Sequence, residues 1–195
     1  MVNYGLPNDG AERVAERIAA LNPSVPLGLN IVNTNRGPRA PPESDDAIFA
    51  DYVASVQKLE PVCTYLTLNL SCPNTCDGRA FVSDTRRVRK LLDAVALVQP
   101  RKPLFLKVAP FAEVAGLESF LEAVDPYEYV RGFSINLPPG KPPGMATPPE
   151  KLKSMPGAVS GRPAHSAANR AIREMFLRMH RRRHVIIGSG GVVTR

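Results

Sequence analysis

The chain has 195 residues, 44% hydrophobic and 22% charged, a balance that excludes a disordered or fibrous chain and fits one globular domain with a sizeable core. The net charge of +7 is confined to residues 161–195, where eight arginines face a single acid, Glu174. Residues 1–160 balance, so an overall nucleic-acid-binding composition is not expected.

No apolar run reaches the roughly 18 residues of a membrane span. The start, MVNYGLPNDG, lacks the basic stretch and apolar core of a signal peptide. Cys63, Cys72 and Cys76 do not form a secreted disulfide pattern, and with no CxxC pair a zinc site is not expected. The twenty prolines, twice the usual share of roughly 5%, gather between periodic segments as loop punctuation.

In chain order, Val14, Ile18 and Leu21 predict one face of a helix over residues 11–21. VPLGLNIV (25–32) predicts a strand. Ser44, Asp45 and Asp46 mark a helix start, with Ile48, Tyr52, Val56 and Leu59 as its apolar stripe. VCTYLTLNL (62–70) predicts a second strand. Asp84 opens a helix with Val88, Leu91, Leu92 and Val95 inward, and PLFLKVAP (103–110) predicts a third strand. A helix lined by Leu117, Phe120, Leu121 and Val124 leads to the strand YVRGFSIN (129–136). A longer helix lined by Ala168, Ile172, Met175, Phe176 and Met179 leads to HVIIGSGG (184–191), a last strand running into glycines. Strands alternating with helices predict a parallel sheet. Periodicity alone leaves a barrel and a doubly wound sheet both open. Polar residues and glycines collect where strands end, at Asn30, Asn69, Cys72, Asn74, Lys107, Asn136, Gly190 and Gly191, the edge where either architecture binds ligands.

Lys107 interrupts an apolar strand, where a lysine is costly unless it meets an anion or other acceptors. It either faces an electron-rich cofactor or pairs with a structural acid. The GSGG of residues 188–191 can cradle a phosphate or simply reverse the chain. Cys72 lies outside its strand among hydrogen-bonding neighbours, and a thiol there can serve as a base for a weakly acidic carbon proton. Cys63 and Cys76 are read as structural. The arginines at 170, 173, 178 and 181–183 follow a helix whose other face is apolar, and are read as a solvated face.

LGLNIVNT, LNLSCPNT, FLKVAP, FSIN, AVSGRP and IIGSGGV together resemble, in chain order, the dihydroorotate dehydrogenase family. LNLSCPNT and the pair KVAP and SGRP are the specific motifs. The resemblance implies an α/β fold of the (β/α)8 TIM barrel family that binds FMN at the C-terminal ends of the strands. It implies oxidation of dihydroorotate to orotate in pyrimidine synthesis, with hydride passing to the flavin. Cys72 matches the base; Asn69, Asn74, Thr75 and Asn136 match the groups that hold the pyrimidine ring. Asn30, Asn69, Lys107, Gly161, Gly190 and Gly191 match flavin contacts.

Cysteine at position 72 is typical of the soluble class, whereas PNT and SGRP lean toward the quinone-linked class. The electron acceptor implied is therefore a quinone or fumarate, and the location cytoplasmic or peripheral at the inner face of a membrane. Leu137 stands where the family often has a hydroxyl, and Phe111 where it commonly has an aspartate. Only about five of the eight βα units of a barrel are visible. Residues 1–195 are therefore expected to be one domain, an internal part of a longer enzyme. Membrane contact is then expected only through segments outside it, and the chemistry belongs to the complete barrel. Two other readings are a different FMN barrel acting on a pyrimidine, and a non-catalytic remnant that binds a partner or anionic surface through its basic C-terminal helix.

Overall fold

The computed structural model describes residues 5–34, 41–72 and 80–189. The chain runs α1 (Ala11–Leu21), β1 (Gly28–Ile31), α2 (Asp45–Leu59), β2 (Tyr65–Asn69), α3 (Thr85–Ala96), β3 (Leu104–Val108), α4 (Val114–Val124), β4 (Val130–Ile135), α5 (Pro149–Ser154), α6 (His165–Arg178) and β5 (Val185–Ile187). The two expected caps are in place. Ser44 Oγ accepts from the Ala47 N–H at 3.3 Å, and Asp84 Oδ1 accepts from the N–H groups of Arg86 and Arg87. Each satisfies backbone donors that the first helical turn leaves free. The short helix α5 was not foreseen; it sits within a proline-rich stretch whose composition reads as loop.

All five strands are parallel, and their order in the sheet is their order in the chain. A doubly wound sheet reverses its strand order at a switch point. Consecutive order belongs to a barrel wall, so the structure settles the choice that periodicity left open. The helices line one side: α1 packs on α2, α2 on α3, α3 on α4, and α4 on α6.

Alternation along the strands divides the side chains between two faces. Leu66 and Leu68 of β2 and Leu104, Leu106 and Val108 of β3 are fully buried against the helices. They meet Val56 of α2, Leu91 and Leu92 of α3 and Phe120 of α4 in one core. Between β3 and β4 the register slips by one residue: Leu104 pairs with Val130, but Phe105 pairs with Gly132. The slip lets Val130 and Phe133 both enter that core, and leaves Arg131 exposed.

The other, concave face carries Tyr65, Thr67 and Asn69 of β2, Phe105 and Lys107 of β3, and Gly132 and Ser134 of β4. Its lower end is filled by the Tyr65 and Phe105 rings, 5.3 Å apart edge to face. They fit because the neighbouring strands offer glycine. A Cβ on Gly28 would lie 2.0 Å from the Tyr65 ring, and one on Gly132 would lie 2.0 Å from the Val185 carbonyl oxygen.

Two expected inward residues face solvent: Leu21 is 73% exposed and Phe176 46% exposed. Both belong to the terminal helices of the arc, α1 and α6, each of which packs on a neighbouring helix on one side among the described residues. Periodicity marks the apolar stripe of a helix but not whether anything covers all of it.

His184, just before β5, is buried. Its Nε2 accepts from Arg183 Nε at 3.1 Å, its ring meets Phe133 edge to face, and its Nδ1 has no hydrogen-bond partner among the described residues. Burial first, and then the Arg183 charge, push its pKa down to about 4 from an ordinary 6.5. Between those two values the unfolded chain binds a proton that the folded one does not. This contribution to stability is therefore whole above pH 6.5 and lost as pH falls toward 4. Urea denaturation at pH 5 and pH 7.5 is expected to show a larger loss in the wild type than in His184→Phe. Equal losses would mean that His184 does not drive the acid sensitivity.

Candidate active site at the strand ends

The register brings Asn69, Lys107 and Ser134 to one level of the concave face. Beyond them the chain stays paired for one more residue: the Leu70 N–H donates to the Lys107 carbonyl at 2.9 Å, and the Asn136 N–H to the Val108 carbonyl at 2.8 Å. These bonds hold the loops after β2 and β4 against the sheet. From the helical side, the buried Tyr52 hydroxyl of α2 donates to the Asn69 carbonyl at 2.9 Å. Periodicity marks Tyr52 only as part of an apolar stripe. The signal for a further role is its hydroxyl, which needs a partner once the ring is buried.

Asn69 and Asn136 come together through Ser71. Asn69 Oδ1 accepts from the Ser71 N–H at 3.3 Å. Asn136 Nδ2 donates to the Ser71 carbonyl at 3.0 Å and to its Oγ at 3.1 Å. Asn136 Oδ1 accepts from the Leu137 N–H at 2.9 Å. Cys72 follows Ser71 and is buried.

Lys107 is half-buried. Burial lowers its pKa from the ordinary lysine value, and an ionised Cys72 sulfur nearby acts in the opposite direction. Among the described residues its ammonium has no hydrogen bond or carboxylate partner. The structural-acid alternative therefore finds no support, and the site pairs a thiol with a cation at the mouth of the barrel.

Asn30 lies one layer lower, opposite Thr67, and is exposed. No bond among the described residues joins it to Asn69. Gly161 stands before α6 at φ +77 with nothing within 4 Å of where a Cβ would be, a left-handed conformation that favours glycine. Asn74, Thr75, Cys76, Gly190 and Gly191 lie outside the described residues. Cys63 is structural as expected: its Sγ donates to the Glu60 carbonyl at 3.5 Å, and burial pushes its thiol up to about 11, which leaves it protonated and unreactive.

A cavity of about 500 Å³ lies outside the strand ends between α4 and α6, lined by Phe111, Leu117, Ile135, Arg170 and Met175 among others. Neither Asn69 nor Lys107 is among its lining residues. The basic C-terminal segment is partly neutralised within the fold. Arg178 pairs with Glu174 and Glu118, and Arg183 pairs with Asp125 at 2.7 Å. That weakens the reading of this helix as a surface for anionic partners. No helix among the described residues is long and apolar enough to cross a membrane.

The dihydroorotate dehydrogenase family model matches residues 1–195. A dihydroorotate dehydrogenase (quinone) of Mycobacterium sp. (strain KMS) is 30% identical over 191 residues, which is 97% of this chain and 50% of that protein. The Sphingopyxis alaskensis protein of the same name is 42% identical over 123 residues, 60% of this chain and 32% of that protein. The ligand-free DHODH crystal structure from Eimeria tenella superposes with a TM-score of 0.80 at 21% identity, over 97% of this chain and 57% of that one, a likeness of fold. The chain spans about half the length of the curated relatives it matches.

Proposed function

We propose, since this chain belongs to the dihydroorotate dehydrogenase family, that the whole protein oxidises dihydroorotate to orotate in pyrimidine synthesis. The observation that carries the reading is the meeting of Asn69, Asn136, Cys72 and Lys107 at one edge of the barrel wall. Cys72 takes the proton from the ring carbon next to the one that loses hydride. Asn69, Asn74, Thr75 and Asn136 hold the ring, whose amide edges match carboxamides as both donors and acceptors. When bound, FMN supplies the two-electron acceptor for the hydride. Asn30, Asn69, Lys107, Gly161, Gly190 and Gly191 are the residues that would hold it. Lys107 fits such a group, since a half-buried cation with no carboxylate nearby among the described residues is stabilised by an electron-rich neighbour. The quinone named for the relatives supports a quinone rather than fumarate as the final electron acceptor.

The test is anaerobic mixing of the full-length, FMN-loaded protein with dihydroorotate. Bleaching of the flavin absorbance is expected, and a flavin that stays oxidised rejects the reading. Within that assay Lys107→Ala is expected to retain less FMN or to reduce it more slowly. Unchanged FMN content together with unchanged reduction kinetics would make Lys107 a purely structural residue.

A further inference from the structure

Ser71 has no solvent exposure, yet its backbone and hydroxyl reach three residues of the site. The N–H donates to Asn69 Oδ1, and the carbonyl accepts from Asn136 Nδ2. Its Oγ lies 3.1 Å from Asn136 Nδ2, 3.2 Å from the Lys107 carbonyl oxygen and 3.4 Å from Asn69 Oδ1. A hydroxyl has one proton to give and two lone pairs. The Asn136 amide uses a lone pair, so the proton goes to the Lys107 carbonyl or to Asn69.

These bonds decide how each carboxamide points. Turning the Asn69 amide over would set its NH2 against the Ser71 N–H, donor against donor. Turning Asn136 over would set its oxygen against the Ser71 carbonyl and take the acceptor away from the Leu137 N–H. Both reversals leave polar groups at the buried Ser71 unpaired, which is costly. Asn69 is thus held with its NH2 pointing away from Ser71, as a donor. Asn136 has its NH2 consumed and keeps one lone pair of Oδ1 as an acceptor.

We propose that Ser71 is a positioning residue for ring recognition. Without touching the ring, it fixes Asn69 as a donor and Asn136 as an acceptor, and so selects a planar ring that carries a carbonyl beside an N–H. The inference rests on the ring oxidation proposed above and adds to it the residue that sets the polarity of the ring contacts.

The test is Ser71→Ala in the full-length, FMN-loaded protein, with orotate affinity measured by calorimetry and turnover of dihydroorotate measured across pH. The orotate Kd and the KM for dihydroorotate are expected to rise about tenfold, while kcat and the shape of its pH profile stay put, the pattern of lost uniform binding. In an Asn136→Ala background, adding Ser71→Ala is expected to cost only about threefold, because residues acting as a unit are not additive. Three results would overturn the role. One is an unchanged Kd and KM. Another is a full tenfold loss in both backgrounds. The third is a fall in kcat with a displaced pH profile and an unchanged KM, which would make Ser71 itself the base. A wild-type protein that neither binds orotate nor reduces its flavin overturns the functional reading along with it, whereas a silent Ser71→Ala in an active enzyme overturns only the role of Ser71.

Discussion

Replacing Cys72 by alanine in the full-length protein is expected to slow flavin reduction by dihydroorotate about 10²-fold or more, the usual effect of losing a general base, while orotate binding stays nearly intact. The thiol is buried and stands close enough to Lys107 for the two charges to interact. Its neighbours in the loop are committed elsewhere. The Ser71 hydroxyl lies within hydrogen-bond distance of Asn69, Lys107 and Asn136, and the Nδ2 of Asn136 is spent on Ser71. Cys72→Ser should keep part of the activity with its pH optimum moved upward, since a hydroxyl is a weaker acid than a thiol and needs more help to ionise. Stopped-flow bleaching across a pH series reads both effects. A Cys72→Ala enzyme that reduces its flavin at the wild-type rate would make the thiol a packed loop residue.

The largest expected loss of stability comes from Gly132→Ala. The new Cβ would sit 2.0 Å from the Val185 carbonyl oxygen and 3.0 Å from the Phe105 ring. The first of these is backbone of the paired strand, so relief requires β4 and β5 to separate. A cost of roughly 3 kcal/mol or more is expected, the upper end of what overpacking does. Gly28→Ala provides the comparison. Its Cβ would meet the Tyr65 ring at 2.0 Å, but a side chain can turn where paired backbone cannot, so a smaller loss is expected. Urea denaturation of the three proteins gives the ranking. Gly132→Ala within about 0.5 kcal/mol of the wild type, the range of a neutral surface change, would contradict the β4–β5 register.

The elements themselves were legible because their signals are local. A hydroxyl or carboxylate placed to accept from the first turn, as at Ser44 and Asp84, and apolar residues at helical or alternating spacing need nothing beyond their own neighbourhood. The candidate site was half legible. A lysine inside LFLKV and a cysteine beyond LTLNL stand out because packing does not account for them. The residue that joins them did not stand out, since a serine in a polar loop has many bland uses and its partners lie far along the chain, Lys107 at a separation of 36 residues and Asn136 at 65.

The sequence by itself therefore determined the alternation of strands and helices, their caps, and the polar residues at the strand ends. Only the tertiary structure decided that the strands follow one another around a barrel wall, that Lys107 has no acid beside it among the described residues, and that Ser71 hydrogen-bonds to both Asn69 and Asn136. The physical reason is that strand order and register are set by pairing between distant segments, and no local period records which segments meet.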